Sequence, residues 1–216
     1  MLVGERMTSP ALTIGPDVSV QEALAMMHQD KVRRYPVVDK QGNLVGIISE
    51  KDLLNASPSE ATTLSVWEIG YLLSKLTIES VMSKNVTTVT ADTPIEEAAR
   101  IMADNKIGGL PVVDGNKVIG IITETNLFRI FLELLGARSA GVRVTLLVKE
   151  GPGKLHELTG IISKLGGNFV ALGTFLGENT GNRIVTMKVD GVAKDELIKA
   201  IEPAVERIVD VREVKF

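Results

Sequence analysis

An internal repeat is the feature that most restricts the folds available to this 216-residue chain. Residues 7–39 align with residues 82–114 at a constant offset of 75, and eleven of the aligned positions are identical. After a one-residue deletion the alignment continues at an offset of 74, where Gly46–Leu53 matches Gly120–Leu127. Self-similarity at a fixed spacing is typical of a duplicated structural unit. We therefore expect two units of the same fold, followed by a different C-terminal part.

Each repeat has the same pattern of predicted elements. Apolar residues at helical spacing follow Ser19 in the first copy and Thr93 in the second, which predicts an amphipathic helix in each. Two short β-rich runs, at 35–38 and 44–48 in the first copy, enclose a segment with the composition of a hairpin turn, and the second copy has equivalent runs. A further helix is expected to begin at Ser49 and at the equivalent residue of the second copy.

The segment between the repeats contains a predicted loop and a predicted helix. Residues 56–63 are polar, and residues 64–76 have helical periodicity. Trp67 and Tyr71 lie four residues apart in that helix. We expect both rings to pack against the parent domain, with a partner or dimer surface as the alternative.

The pattern changes at Gly141. A strand-like alternation over 142–148 precedes a helix with apolar residues on one face from Leu155. Two further strand-like runs, at 168–176 and 183–189, are followed by a second helix and a last strand. The resulting βαββαβ order is typical of a ferredoxin-like sandwich. The predicted fold class of the whole chain is therefore α+β.

The composition excludes several kinds of site. The chain has no cysteine and two histidines, which excludes disulfides, thiolate catalysis and zinc ribbons. With 24 basic and 27 acidic residues, the net charge of -3 gives no electrostatic footprint for nucleic acid or an anionic membrane. The sequence has no stretch of 18 apolar residues, no signal peptide and no paired nucleophile and base. We predict a cytoplasmic protein that is not an enzyme, holds no metal or catalytic cofactor, and binds neither nucleic acid nor membrane.

The end of each repeat, Gly-h-h-Ser/Thr-x-x-Asp/Asn with h apolar, carries a resemblance to a known family. Together with the Pro-Val-Val-Asp run of each copy, it makes residues 7–127 resemble a pair of CBS domains. The resemblance implies two β-α-β-β-α units that fold face to face as one adenine-nucleotide-sensing module. The predicted divisions of the chain are 1–56 for the first CBS domain, 57–80 for a linker and connecting helix, 81–136 for the second CBS domain, and 141–216 for a C-terminal domain.

The motif has a chemical interpretation and a structural alternative. A strand that runs into a helix N-terminus exposes backbone N–H groups to a phosphate, and the Asp52 carboxylate can accept hydrogen bonds from ribose hydroxyls. Ser49-x-x-Asp52 is, however, also a pattern with which a helix caps itself.

The resemblance to nucleotide-loaded CBS pairs implies a pocket composed of both copies. The residues that would hold ribose and phosphate are Ser49, Asp52 and Arg34. The residues of the second copy that would border the adenine are Thr93, Ala98, Ile107 and Gly108. The corresponding residues of the pseudo-symmetric pocket are Thr123 and Asn126. The expected ligands are AMP, ADP, ATP, S-adenosylmethionine or NAD(H), and the alternative for the neighbouring Arg33 and Arg34 is an ordinary solvated pair.

The C-terminal part resembles a second family. The run Glu150–Leu155 is close to the Asp-x-Pro-Gly-x-Leu motif of ACT domains, and Gly166–Phe169 is close to their Gly-x-Asn-Ile. The resemblance implies a ferredoxin-like module that binds an amino acid, with Gly153, Leu155 and Asn168 as its candidate residues. Dimerisation without a ligand is the alternative.

The order CBS, CBS, ACT resembles AcuB-type proteins, which are associated with acetoin utilisation. We predict a non-enzymatic regulator that senses an adenine nucleotide, and in its ACT domain an amino acid, and acts on an unidentified protein target. Because a ferredoxin-like sheet leaves edge strands and residues 168–176 carry few charges, we also predict a homodimer to which the C-terminal domains contribute. The alternative function is a ligand-free oligomerisation or interaction module.

Overall fold

The computed structural model describes residues 1–56 and 65–215, which form two compact units that divide between Leu127 and Phe128. Of the predicted loop at 56–63, residues 57–63 lie outside the described residues. No helix in the described part of the chain is long and apolar enough to cross a membrane.

The first unit contains both repeats, and their predicted helices and hairpins are present. The elements of the first repeat are α1 Val3–Arg6, α2 Val20–Asp30, β1 Arg34–Val38, β2 Leu44–Ser49 and α3 Glu50–Ala56. The connecting segment contains α4 Val66–Lys75 and α5 Ile78–Val81. The elements of the second repeat are α6 Ile95–Asn105, β3 Gly109–Asp114, β4 Lys117–Thr123 and α7 Glu124–Leu134, the last of which continues into the second unit.

The two amphipathic helices begin differently and end alike. Helix α2 begins after Ser19, whose Oγ accepts a hydrogen bond from the Glu22 N–H at 3.2 Å. In the second repeat Pro94 is the N-cap, and the Oγ1 of Thr93 instead accepts from the N–H of Thr90 at 3.1 Å. Both helices end at a lysine in the left-handed region, which turns the chain into the following strand.

Each repeat is built around an antiparallel hairpin. β1 pairs with β2, and β3 pairs with β4. An earlier residue adds one parallel bridge to each hairpin, Ile14 to Val37 and Val89 to Val112. The first strand of the expected β-α-β-β-α unit is therefore reduced to a single bridge.

The cores of the two repeats exchange short segments. Val3 is fully buried in the core of the second repeat, and Ile78 is fully buried in the core of the first. Thr8 forms an antiparallel bridge to Ile121, as Ser83 does to Ile47. Each repeat is therefore completed by the segment that precedes the other repeat, and the predicted divisions at residues 56, 80 and 136 stay predictions.

The second unit has the predicted βαββαβ order. Its elements are β5 Gly141–Lys149, α8 Lys154–Lys164, β6 Asn168–Leu176, β7 Asn182–Asp190, α9 Lys194–Ile201 with a short 3₁₀ turn Glu202–Ala204, and β8 Arg207–Val214. The sheet is antiparallel with strand order β6-β7-β5-β8. Alternate residues of β5 and β7 bury one face of the sheet in a core that α8 and α9 complete. Strands β6 and β8 lie at the edges.

A buried lysine fixes the chain ahead of this sheet. Lys188 is only 4% exposed, and its Nζ donates to the carbonyl oxygens of Gly136 at 2.7 Å and Ser139 at 2.9 Å. These bonds replace the water that the ammonium group loses on burial. They hold the turn after α7 against the sheet.

The aromatic residues of α4 depart from expectation. Trp67 is 86% exposed and Tyr71 is 64% exposed, so the prediction that both rings pack against the parent domain is wrong for the described chain. Helix α4 contacts α2 without burying either ring. Lys75 lies beside one of the rings, with its Nζ 5.7 Å from the centroid of Tyr71.

Candidate functional site

A cavity of about 560 Å³ lies between the two repeats of the first unit. The sequence-predicted residues that line it are Arg34, Ser49, Asp52, Ile107 and Gly108. The remaining lining residues are Arg33, Ile47, Glu50, Lys51, Ser83, Asn85, Val86, Thr87, Lys106, Gly109 and Glu124. Both copies therefore contribute to one concave surface, as expected for a composite pocket.

The Ser49 and Asp52 side chains form a hydrogen bond at the N-terminus of α3. Asp52 Oδ2 accepts hydrogen bonds from the Ser49 N–H at 2.9 Å and from the Ser49 hydroxyl at 2.6 Å. The hydroxyl in turn accepts from the Asp52 N–H at 3.3 Å. The capping alternative is thus present, but within the described chain both of these carboxylate hydrogen bonds use Oδ2. Because a carboxylate has two acceptor oxygens, Oδ1 can still accept from a ligand.

Arg34 reaches from the start of β1 to the backbone of the second repeat. A Cβ placed on Gly108 would lie 2.5 Å from Nη2 of Arg34, and one placed on Gly109 would lie 2.5 Å from its Nη1. Side chains at these positions would therefore collide with the guanidinium group. The two glycines of the second copy make the space that the arginine of the first copy fills.

The guanidinium of Arg34 is only partly satisfied. Its Nη1 is buried and has no hydrogen-bond partner among the described residues. Burial lowers the pKa of Arg34, against the attraction of Glu124, while Arg33 lowers it further and Asp52 raises it. An arginine nevertheless stays charged in proteins. Within the described residues the cavity wall thus contains a cation with an unpaired N–H group, from which an anionic ligand group can accept a hydrogen bond.

Four residues of the cavity wall were not predicted from the sequence because they lie at or just after Ile78–Ser83, the segment that packs on the first repeat. Ser83, Asn85, Val86 and Thr87 line the cavity because the N–H of Ser83 pairs with the carbonyl of Ile47 at 3.0 Å. This pairing joins residues far apart in the sequence, and no local periodicity reports it. The alignment of residue 82 with residue 7 was the one available signal that a new unit starts here.

Two predicted adenine-bordering residues lie elsewhere. Ala98 is fully buried in the core of the second repeat. Thr93 precedes α6, with its hydroxyl turned back to the N–H of Thr90. Neither residue lines the cavity.

Thr123 and Asn126, at the equivalent positions of the second repeat, bind within the chain. Asn126 is 8% exposed, and its Oδ1 accepts from the Thr123 N–H at 3.0 Å and from the Thr123 hydroxyl at 2.6 Å. Its Nδ2 donates to the carbonyl oxygen of Arg6 at 3.1 Å. Both ends of the amide are therefore engaged, and neither residue lines the cavity.

The second unit has a smaller cavity at the predicted amino-acid site. It measures about 400 Å³, and Gly153 and Leu155 line it with Lys149, Lys154 and Arg183 among the other residues. Gly153 is the N-cap of α8 with φ of 84°, a left-handed conformation that favours glycine. Asn168 begins β6 and does not line this cavity.

Metal binding finds no support in the described chain. Among residues 1–56 and 65–215, no group of three or more His, Asp or Glu side chains is arranged to hold a metal ion.

A family model for the CBS domain matches residues 3–59 and 78–133. A CBS domain-containing protein of Dictyostelium discoideum is 32% identical over 136 residues, which are 62% of this chain and 94% of that protein. L-aspartate semialdehyde sulfurtransferase of Methanocaldococcus jannaschii is 32% identical over 131 residues, but the match is only 23% of that enzyme's length.

Solved structures give the same result. A CBS domain pair in complex with 5′-methylthioadenosine and S-adenosyl-L-methionine is 31% identical, with a TM-score of 0.52 over 64% of this chain and 98% of that one. The Arabidopsis thaliana protein CBSX2 in complex with AMP is 34% identical, with a TM-score of 0.51 over 61% of this chain and 96% of that one.

A structure described as an acetoin utilization protein, AcuB, from Vibrio cholerae is 30% identical, with a TM-score of 0.53 over 64% of this chain and 95% of that one. The ACT interpretation of residues 141–216 stays a prediction. The repeats, their composite cavity and these matches identify the chain as a member of the CBS domain family.

Proposed function

We propose that this protein is a non-enzymatic regulator that binds an adenine nucleotide in the cavity between its two repeats. One observation carries the proposal. The cavity is lined by Arg34 and Asp52, and within the described residues Nη1 of Arg34 has no hydrogen-bond partner while the hydrogen bonds from Ser49 to the Asp52 carboxylate use only Oδ2. Nη1 of Arg34 can therefore donate to a ligand, and Oδ1 of Asp52 can accept from one. The guanidinium of Arg34 suits a phosphate oxygen, and the carboxylate of Asp52 suits a ribose hydroxyl. The relatives solved with AMP and with S-adenosyl-L-methionine support the class of ligand.

The charges of the wall favour a ligand with a phosphate. Four cations line the cavity, namely Arg33, Arg34, Lys51 and Lys106, against three acids. A sulfonium compound such as S-adenosylmethionine brings a positive charge to this surface, whereas AMP, ADP and ATP bring negative charge. We therefore propose the ligands that carry phosphate, AMP, ADP, ATP or NAD(H), ahead of S-adenosylmethionine.

Calorimetric titration of the whole protein with these five compounds tests the proposal. We expect saturable binding of at least one phosphate-bearing nucleotide and weaker binding of S-adenosylmethionine. Absence of heat from all five at about 1 mM, a concentration that detects a free energy of binding near -4 kcal/mol, would contradict the nucleotide function. The protein would then be a ligand-free interaction module.

For the second unit we propose an ACT-like role in dimerisation and in binding an amino acid. The cavity beside Gly153 supports the ligand, because Lys149, Lys154 and Arg183 line it and favour a carboxylate there. Two of these cations already have an acidic partner, since Arg183 pairs with Glu150, which also lines the cavity, and Lys154 pairs with Glu157.

Edge strand β6 supports dimerisation, since an unpaired edge can pair with another chain and Leu176 there is exposed. A thermal-shift panel of the common amino acids tests the first part, and light scattering tests the second. A monomer at micromolar concentration would contradict the homodimer.

Regulation by such a ligand has a thermodynamic condition. A nucleotide changes the conformation of the protein only as far as it binds one conformation more tightly than another. We propose that the responding element is recognised by a protein target, whose identity the site chemistry does not specify.

A further inference from the structure

The two repeats differ by one side chain at the last position of their shared motif. The first repeat has Asp52, and the second has Asn126 at the aligned position. Both side chains use one oxygen in the same way, to accept from the N–H and hydroxyl of the Ser or Thr three residues earlier. The difference therefore lies in the second atom of each group, which is an oxygen in Asp52 and an NH₂ in Asn126.

The NH₂ group of Asn126 binds the N-terminal segment of the chain. It donates to the carbonyl oxygen of Arg6 at 3.1 Å. That segment is attached to the second repeat on both sides of the contact, since the Gly4 N–H donates to Ala91 at 2.8 Å and the Thr8 N–H donates to Ile121 at 2.9 Å. Asn126 thus joins the motif to a segment that is already part of the second repeat.

The first repeat cannot form the equivalent bond. Its corresponding segment is Ile78–Ser83, and Val81 aligns with Arg6 at the offset of 75. An ionised carboxylate has acceptors only, so Asp52 has no hydrogen to donate to the Val81 carbonyl. The second oxygen of Asp52 can only accept, so it is available to a donor such as a ligand hydroxyl.

We propose that Asn126 closes the second of the two equivalent sites by binding the N-terminal segment, so that each chain holds one nucleotide. The count of nucleotides rests on the function proposed above, whereas the closing contact does not. Asn126 is then a specificity-determining residue that restricts binding to the cavity beside Asp52.

Hydrogen exchange of the full chain without nucleotide tests the contact. In Asn126→Asp, the backbone amides of Gly4 and Thr8 should exchange about tenfold faster than in the wild type, on the order expected for loss of a buried hydrogen bond. Asn126→Ser, which removes the long donor without adding a charge, should act in the same direction. Asp52→Ala is the matched control and should leave the exchange of the equivalent amides, Glu79 and Ser83, within about twofold of wild type.

Unchanged exchange at Gly4 and Thr8 would overturn the proposal. If one Asn126 variant folds poorly, the result from the other decides. Calorimetry with AMP then gives the number of nucleotides bound per chain. One nucleotide per wild-type chain, lost in Asp52→Ala, supports the proposal, and two per chain would overturn it. If AMP does not bind at all, the nucleotide function fails while hydrogen exchange still decides whether Asn126 holds the segment.

Discussion

The two repeats share the same order of helices and strands but differ in the side chains at the equivalent positions of their shared motifs. The first copy supplies a carboxylate and an arginine, at Asp52 and Arg34, where the second has Asn126 and Gly109. One copy thus brings the charged groups, and the other brings bare backbone that the arginine can approach. The two copies therefore have equivalent positions with complementary residues, an acid and an arginine in the first and an amide and a glycine in the second.

The largest expected effect is at Arg34. Arg34→Ala should weaken AMP binding by about 2–3 kcal/mol, because a hydrogen bond to a charged group is lost. Its effect on adenosine binding should be smaller, and added salt should reduce the difference between the two ligands. The free energy of unfolding should not fall, since the variant removes a buried nitrogen that has no partner among the described residues. Calorimetry and urea unfolding measure the two quantities, and equal losses for AMP and adenosine would leave Arg34 without a phosphate role.

The next largest effect is expected from removing the acid of the first copy, Asp52, compared with the amide of the second, Asn126. Asp52→Ala should weaken nucleotide binding by about 1–3 kcal/mol, whereas Asn126→Ala should have a smaller effect because its amide is used within the chain. Both variants lose the bonds to the preceding Ser or Thr, and Asn126→Ala also loses the bond to Arg6, so its cost in stability should be larger. Calorimetric losses that are equal for the two variants would show that the copies contribute alike.

A smaller effect is expected at the glycines. In Gly108→Ala the atoms nearest to the new methyl group would be the flexible ends of Arg34 and Glu124, so the fold should survive while the guanidinium moves. AMP binding should weaken by about 1 kcal/mol, within the range for coupling between contacting residues. In the Arg34→Ala background the same substitution should have almost no effect. Additive losses in this double-mutant cycle would show that the two positions act independently, and Gly160→Ala, whose methyl group meets nothing within 4 Å, is the control.

The smallest effect concerns the hairpin turns, where the second copy is one residue shorter. Asp39 accepts hydrogen bonds from Asn43 and Gln41, and the side-chain bond from Asn43 is the main cause that lowers the pKa of Asp39. A carboxyl whose pKa is lower in the folded state stabilises the protein above its unfolded pKa, about 3.9, and loses that contribution as the pH falls through the folded value. The stability difference between wild type and Asp39→Ala should therefore shrink in acid. A difference that does not change with pH would contradict this account.

The sequence by itself determined the repeated units, the elements of each and their chemistry at the Ser-x-x-Asp motif. Helical and strand periodicities are local, so α2, α6, both hairpins and the βαββαβ order followed from short windows of residues. The alignment of the two copies also identified Asp52 and Asn126 as equivalent residues, because each ends the same motif.

Only the tertiary structure decided which residues meet. Thr87 lines the cavity because Ile78–Ser83 packs on the first repeat, and Ala98 is buried in a core that Val3 completes. Both are long-range contacts with no periodic signature. The same exchange brings the carbonyl of Arg6 to Asn126, 120 residues further along the chain. A local pattern specifies what a side chain can donate or accept, but the partner it finds depends on which distant segment completes its core.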